Sequence, residues 1–312
     1  MQVVRRTCYF LLLILLLTGA LTGAVALTGC SKGKAKTPGI IGKTPHDVVL
    51  ESQAKMSEAK NYDVGLVIQK STESFDTNLT GTANCFQNPL RVKVVMDSVT
   101  HFPGLGQEVR DTIELYMITA DNIITLYQKS GVNPGWQKYT IDQDEAARIL
   151  QLDPAAQTEL FLKHLVEAKH EGFEVIGAQR TEKITLVASG ELFKELAKDL
   201  DIPGFSNQIE ALPSDILNKA GDLTYILWVD TDSLNMVKYV MDLTPFMKNL
   251  SQVMADSLPA TQDAANGERP EMEAVYGNMV MYMECIIKNV NSAQDFKLPE
   301  ETASARTVVR PL

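Results

Sequence analysis

From Tyr62 onward the chain alternates apolar and polar residues with a period of two, and this restricts its fold more than any other feature. Tyr62, Val64, Leu66 and Ile68 alternate with Asp63, Gly65 and Gln69. Successive side chains of a strand point to opposite faces, so such a run has one dry face and one wet one. The stretch 75–86 continues the pattern, with Phe75, Leu79, Ala83 and Cys85 on one face and Thr80, Thr82 and Asn84 on the other. Asn88-Pro89 breaks it. Leu90, Val92, Val94 and Met96 then alternate with Arg91, Lys93 and Asp97, and 101–107, with Pro103-Gly104, reads as a loop. Val109, Asp111, Ile113, Leu115 and Met117 share a face opposite Arg110, Thr112, Glu114 and Tyr116. Asp121-Asn122 and Asn133-Pro134-Gly135 mark turns before strands at 123–129 and 136–141. Consecutive strands with short turns and one polar face predict an antiparallel meander, wet on one side and covered on the other.

Helical spacing surrounds and interrupts this sheet. A helix is expected over 45–60, with proline in its first turn. Further helices are expected over 142–152 and 154–170, on the spacing of Ile149, Leu152, Leu160, Phe161, Leu165 and Val166. Strand character returns at 173–178 and 183–188. Helices at 191–200 and 207–219 precede a hairpin of 223–229 and 236–243 around Asp230-Thr231-Asp232. A helix at 245–258, a polar insertion at 259–271 and a final strand or broken pair at 272–289 follow. The segment from Leu298 has little to pack. A hairpin-rich sheet with helices inserted in its middle predicts an α+β fold. No fixed-period repeat is present, which argues against solenoids and propellers.

The first thirty residues address the chain. Arg5 and Arg6 precede an apolar run at 9–17, small residues follow, and Leu27-Thr28-Gly29-Cys30 ends the segment. This order is that of an export signal. The tetrapeptide resembles the lipobox of bacterial lipoproteins, in which the cysteine thiol receives a diacylglycerol group and becomes the new N-terminus. The resemblance implies a signal peptide at 1–29, lipid attachment at Cys30 and an extracytoplasmic, membrane-anchored protein. Residues 31–44, rich in lysine, glycine and proline, read as a flexible tether. The chain carries a formal charge of −10, and removing 1–29, which holds two arginines and no acidic residue, makes it two units more negative. Such a balance argues against nucleic acid as a partner.

The mature chain also resembles a known group. "KNYDVGLVIQ", "NPLRVKVVMD" and "ELYMITADNIITLYQKSGVNPGWQKYTID" resemble, in their order after a lipobox and a short helix, the LolA/LppX-like lipoproteins. Within that group they are most similar to a Gram-positive family with Met-rich strands and no characterised function. "GDLTYILWVDTDSLNMVKYVMDLT" is similar to that family's Tyr-x-Ile-Trp-Ile-Asp hairpin, and "KLPEETASA" to its closing segment. Asn235-Met236 stands where the hairpin often has proline, and the insertion at 259–271 is longer. The resemblance implies one domain over 45–305, followed by a tail at 306–312. It also implies a strongly curved antiparallel sheet, an incomplete barrel, with helices over its concave side and an apolar cavity between. Related folds carry acyl chains or glycolipids, and some serve as sensors.

The residues offer no catalytic constellation. His164 and His170 stand six apart, which on a helix places them on different faces. Ser189-Gly190 lacks the frame of a nucleophile elbow. Gly104-Leu105-Gly106 has no strand-to-helix setting for phosphate. Asp230-Thr231-Asp232-Ser233 lacks the glycine and distal glutamate of a calcium loop. We therefore expect no enzyme and no cofactor. Met279, Met281 and Met283 share a face with Cys285 and Ile287, and thioethers make an adaptable apolar wall. The expected ligand-lining set is Leu66, Ile68, Met96, Leu115, Met117, Met281 and Met283, facing an acyl chain in a monomeric lipid-binding protein. The alternative is a non-catalytic interaction or sensor module of the cell envelope. Cys85 and Cys285 are expected as free, buried thiols, because an early and a last strand lie toward opposite edges of a sequential meander.

Overall fold

The computed structural model describes residues 40, 42–72, 75–121, 123–142, 163–193, 214–257 and 279–308. Helix α1 (Pro45–Ser57) opens it. The Thr44 hydroxyl accepts from the Asp47 amide at 3.2 Å while the Asp47 carboxylate accepts from the Thr44 amide, a reciprocal cap that satisfies two orphan donors of the first turn. The helix buries Val48, Val49, Ser52 and Met56 and stops at Ser57, short of the expected residue 60.

Strands β1 (Asn61–Ser71), β2 (Asp76–Gln87), β3 (Leu90–Phe102), β4 (Gln107–Ala120), β5 (Ile123–Ser130) and β6 (Gln137–Asp142) follow as the expected meander. Strands β7 (Leu165–Ile176) and β8 (Gln179–Ala188) come next, then α2 (Ser214–Ala220), β9 (Leu223–Asp230), β10 (Met236–Asp242), α3 (Thr244–Ser257) and β11 (Val280–Lys288). A 3₁₀ turn at Glu300–Ser304 leads to β12 (Arg306–Thr307). All these strands belong to one sheet, ordered β12-β6-β5-β4-β3-β2-β1-β11-β10-β9-β8-β7. The first six strands step outward from β1. The chain then resumes at the opposite edge, and β7 to β11 step back until β11 pairs with β1. Joining β6 to β7 would close a barrel; the sheet instead stays open there, curved and antiparallel apart from the short parallel pair β6–β12. A flat sheet with neighbours about 4.8 Å apart would spread its ends too widely to bury one face. Here the inner face of β1–β5 and β8–β11 forms one core with α1, α2 and α3.

Two expectations need correction. Of the helix expected over 154–170, residues 154–162 lie outside the described residues and 165–170 belong to β7. Bulges between Leu165 and Glu167 and between His170 and Gly172 break the alternation of this edge strand, so its apolar spacing imitates a helix. The segment from Leu298 does pack, since Thr302 is buried and Arg306–Thr307 pair with β6, and the residues just before it are tied down as well. The Asn291 and Ala293 amides donate to the backbone and side chain of Asn61 at 2.7 and 2.8 Å, and the Arg306 amide donates to the Trp136 carbonyl at 2.9 Å. Between these ties, Phe296 packs edge-on against Phe86 and tilted against Tyr116, at 5.7 and 5.8 Å between ring centroids, under the Arg91 guanidinium. The segment is a strap over the outer face, running from β1 to β6. The helices expected at 142–152 and most of those at 191–200 and 207–219, with the insertion 259–271, lie outside the described residues. So do Cys30 and the segments 1–29 and 31–39. No helix among the described residues is long and apolar enough to cross a membrane.

Candidate functional site

The expected ligand-lining residues all stand on the inner face. Ile68 lies between Leu79 and Met283, and Leu66 between Gly81 and Cys285. Met96 is opposite Gly81 and Ile113, Leu115 opposite Val94, Met117 opposite Val92, and Met281 opposite Lys70. Their packing differs. Leu66, Ile68, Met96 and Leu115 are only 1–3% exposed, sealed among neighbours. The Met96 side chain lies across Gly81, in the space a Cβ there would need. Met117 and Met283 keep slightly more exposure, and Met281 is half-buried.

Toward β9, β10 and β11 the buried face is rich in tyrosine and methionine. Tyr225, Leu227, Tyr239, Met241, Met279 and Met283 are each 5–8% exposed, and most of them are contiguous. Tyr225 pairs with Met241 and Met241 with Met283; Leu227 pairs with Tyr239 and Tyr239 with Cys285. Sequence reasoning passed over Tyr225, Leu227 and Tyr239. The alternation within 223–229 and 236–243 marks them as inward, but it does not say that this hairpin adjoins the Met-rich strand.

Two tyrosine–cysteine pairs lie deep in this face. Tyr62 is opposite Cys85, and Tyr239 opposite Cys285. Burial pushes both thiols up to about 12 and holds both phenols well above their ordinary range, with the neighbouring thiol adding to each. All four groups are neutral near pH 7, so this is an uncharged interior with donors in it. Both cysteines are free. The reason is not opposite edges: β2 and β11 flank β1. One strand separates them and they are out of register, Cys85 opposite Tyr62 and Cys285 opposite Leu66, so about 13 Å along the strands adds to two strand spacings and a disulfide, which spans about 7 Å, is out of reach.

Other sequence features resolve as structure. Asp230 accepts from the Ser233 amide at 2.7 Å and the Ser233 hydroxyl at 2.8 Å, closing its turn. His170 sits on β7 with Nδ1 2.8 Å from Glu182. No metal-ligating group of three occurs among the described residues. On the outer face the Trp228 indole donates to Glu174 at 2.7 Å and lies between the Lys183 and Lys238 ammoniums, 5.2 and 5.0 Å from its ring centre. The Trp228 hydrogen bond, then that from Lys183, holds the Glu174 carboxyl below its ordinary range. Lys238 in turn pairs with Glu284 at 3.0 Å. These partners tie β7 to β11 and leave Trp228 buried. A shallow cleft of about 290 Å³ lies between the start of α1 and residues 165–168, lined by Thr44, Pro45 and His46, and touches none of the ligand-lining set.

No family model matches the sequence. No curated protein matches it either. Among solved structures, the Mycobacterium tuberculosis lipoprotein LppX is similar at 14% identity and a TM-score of 0.44, over 80% of this chain and 97% of LppX. LprF from Mycobacterium bovis is similar at 13% identity and a TM-score of 0.41, over 82% of this chain and 96% of LprF. A DUF1329 family protein from Desulfovibrio piger follows at 7% identity and a TM-score of 0.23, over 85% and 97%. At such scores these likenesses carry no functional weight.

Proposed function

We propose that this chain is an extracytoplasmic lipoprotein, anchored to the membrane through Cys30, that holds an acyl chain or similar hydrophobic ligand against the inner face of its sheet. It acts as a monomeric binder, not as a catalyst. The observation that carries the reading is the continuous apolar inner face, on which methionines and tyrosines gather at β9 to β11. Moving an acyl chain from water onto such a wall gains about 0.8 kcal/mol per methylene, so no charged clamp is needed. Methionine side chains adapt to more than one ligand shape. The charge order of 1–30 and its closing cysteine support the anchor.

The test is native mass spectrometry of the protein purified from its own host. The wild type is expected to carry lipid, and replacing the half-buried Met281 by tryptophan is expected to reduce it while the unfolding midpoint stays near the wild type. A wild type that carries no lipid and binds no fluorescent acyl probe would leave the second reading, an interaction module of the envelope. That reading has its own observation: edge strand β7 exposes Val166, Phe173 and Val175.

A further inference from the structure

Apolar side chains left in water collect at one end of the strands. Leu105, Val109, Val132 and Val166 are exposed, Leu105 to 69%. Leu105 and Val109 belong to the hairpin between β3 and β4, Val132 to the turn between β5 and β6, and Val166 to the start of β7. The register puts these at the same strand ends: Val280, Ser71, Asp76, His101 and Glu108 form one cross-strand row, and on the other flank Leu165 pairs with Ala188 and Ala188 with Leu223. The other exposed large apolar residues among the described ones, Ile123, Phe173 and Val175, lie toward the opposite ends of their strands. The β3–β4 tip stands clear of the rest of the fold. A Cβ on Gly104 or Gly106 would meet no atom within 4 Å, and Gly106 turns the chain back at a φ of +59°. The flanking Glu108 and Arg110 pair with each other at 2.8 Å.

The N-terminal segment arrives at this same end. Thr44, Pro45 and His46, at the start of α1, share a cleft with the start of β7. Just ahead of them Ile40 is buried, and its carbonyl accepts from the Lys43 amide at 3.2 Å. Residues 31–39 separate Ile40 from Cys30. Fully extended they span about 35 Å, so a membrane that holds Cys30 lies within that reach of the exposed apolar end.

We infer that this end of the sheet docks on the membrane surface, with Leu105 at the β3–β4 tip entering the lipid interface. The inference rests on the reading that Cys30 carries the anchor. Single exposed apolar residues are ordinary on any surface, but these stand where a short tether keeps a bilayer within reach. The contact is apolar in kind: a chain with a formal charge of −10 gains nothing by charge at an anionic surface. Nor does it need high affinity. The tether makes the second contact intramolecular, and its high effective concentration lets a few side chains suffice. Docking of this kind has a consequence for the ligand. Met279 and the half-buried Met281 stand at the same end, beside the row of Ser71, so the methionine-rich strand β11 would begin next to the lipid.

The experiment uses the full-length protein from its own host, reconstituted into phosphatidylcholine vesicles. A cysteine is placed at the tip, Leu105→Cys, or at the far end, Ile123→Cys, and labelled with a polarity-sensitive fluorophore. Cys85 and Cys285 are buried, and burial pushes both thiols up to about 12, so they do not compete for the label. Quenching by nitroxide lipid and by aqueous iodide then reports which medium each position meets. Position 105 is expected to shift its emission to the blue, to be quenched by the lipid and to lose several-fold of its iodide quenching. Position 123 is expected to keep the emission and iodide quenching of a label in water. Iodide quenching as strong at 105 as at 123, with the protein still sedimenting with the vesicles, would overturn the docking and leave the anchor standing. Equal quenching of both positions by the lipid would overturn it as well, since the contact would then have no preferred end. A wild type that takes up label at Cys30 and stays in the supernatant would overturn the anchor reading, and the docking with it.

Discussion

Gly81→Ala is expected to destabilise the sheet, and the size of the effect can be worked from the backbone. A Cβ at Gly81 would stand 2.2 Å from the Val95 carbonyl oxygen and 2.8 Å from the Met96 Cα, both backbone atoms of β3. Carbon atoms in ordinary contact lie about 3.5–4.0 Å apart, so β2 and β3 would have to part by roughly 1 Å at this pair. Overpacking of this kind costs about 1–3 kcal/mol, and a ladder hydrogen bond stretched beside it loses about 1 kcal/mol more. The sum is about 3 kcal/mol. Gly65, one strand over, supplies the comparison. A Cβ there meets nothing closer than 3.9 Å, so Gly65→Ala fits and gains about 0.5–1 kcal/mol by restricting the unfolded chain. For a domain of this size each kcal/mol moves the midpoint by about 2–4 °C, so Gly81→Ala is expected to unfold roughly 6–12 °C below the wild type and Gly65→Ala slightly above it. Thermal unfolding followed by circular dichroism reads both. Midpoints for the two variants within about 2 °C of each other would refute the argument that β2 and β3 meet at Gly81 without room for a methyl group.

Two further outcomes are expected. Stability should have an alkaline limb set by Cys85, Cys285, Tyr62 and Tyr239. Their folded-state values are raised, so their contribution is complete below the ordinary thiol and phenol values of 9.0 and 10.0 and falls as pH rises from there toward about 12. Urea midpoints between pH 8 and 10.5 measure it, and a Cys85→Ala, Cys285→Ala double variant should flatten the slope; an unchanged slope would exclude the thiols as its source. Cys30→Ala should move the protein from the membrane fraction to the soluble or secreted one, since two acyl chains hold a protein stably where none would. Persistence in the membrane fraction, with no lipid mass on the wild-type protein, would refute the anchor.

The strands of the first half were legible because their turns are short and their alternation is unbroken. Once Leu66 is known to face inward, Ile68 and Val64 must as well. The same logic placed Leu115, Met117 and Met283 on the inner face. Alternation assigns a residue to a face but does not choose the neighbouring strand. The pairing of β1 with β11 joins Asp63 to Asn289, 226 positions away, and nothing local records it. Hence Tyr239 and Cys285 were not seen as partners, and the thiols were called free for a reason that the sheet order overturns. Strand β7 was misread as helix at 165–170 because two bulges shift its register and leave most of its side chains exposed on both faces. The packing of the segment from Leu298 was missed because it rests on backbone bonds, Arg306 to Trp136 and Val308 to Lys138, which leave no apolar pattern in the sequence.

The place of β11 beside β1 also sets a timetable. A chain made from its N-terminus produces β1 to β6 first, and these can pair by local hairpins as they emerge. One flank of β1 then has to wait, its backbone donors and acceptors open, until almost the whole chain has been made. Closing so long a loop costs only slightly more than closing a short one, since the entropy grows with the logarithm of length, but the search is slow. Meanwhile that flank is a sticky edge, able to take up a strand from another molecule. A chain cut short before residue 280 would therefore be a sheet split along its middle, with β1 on the border. If the chain is exported as proposed, this is the interval in which a holding chaperone would matter most.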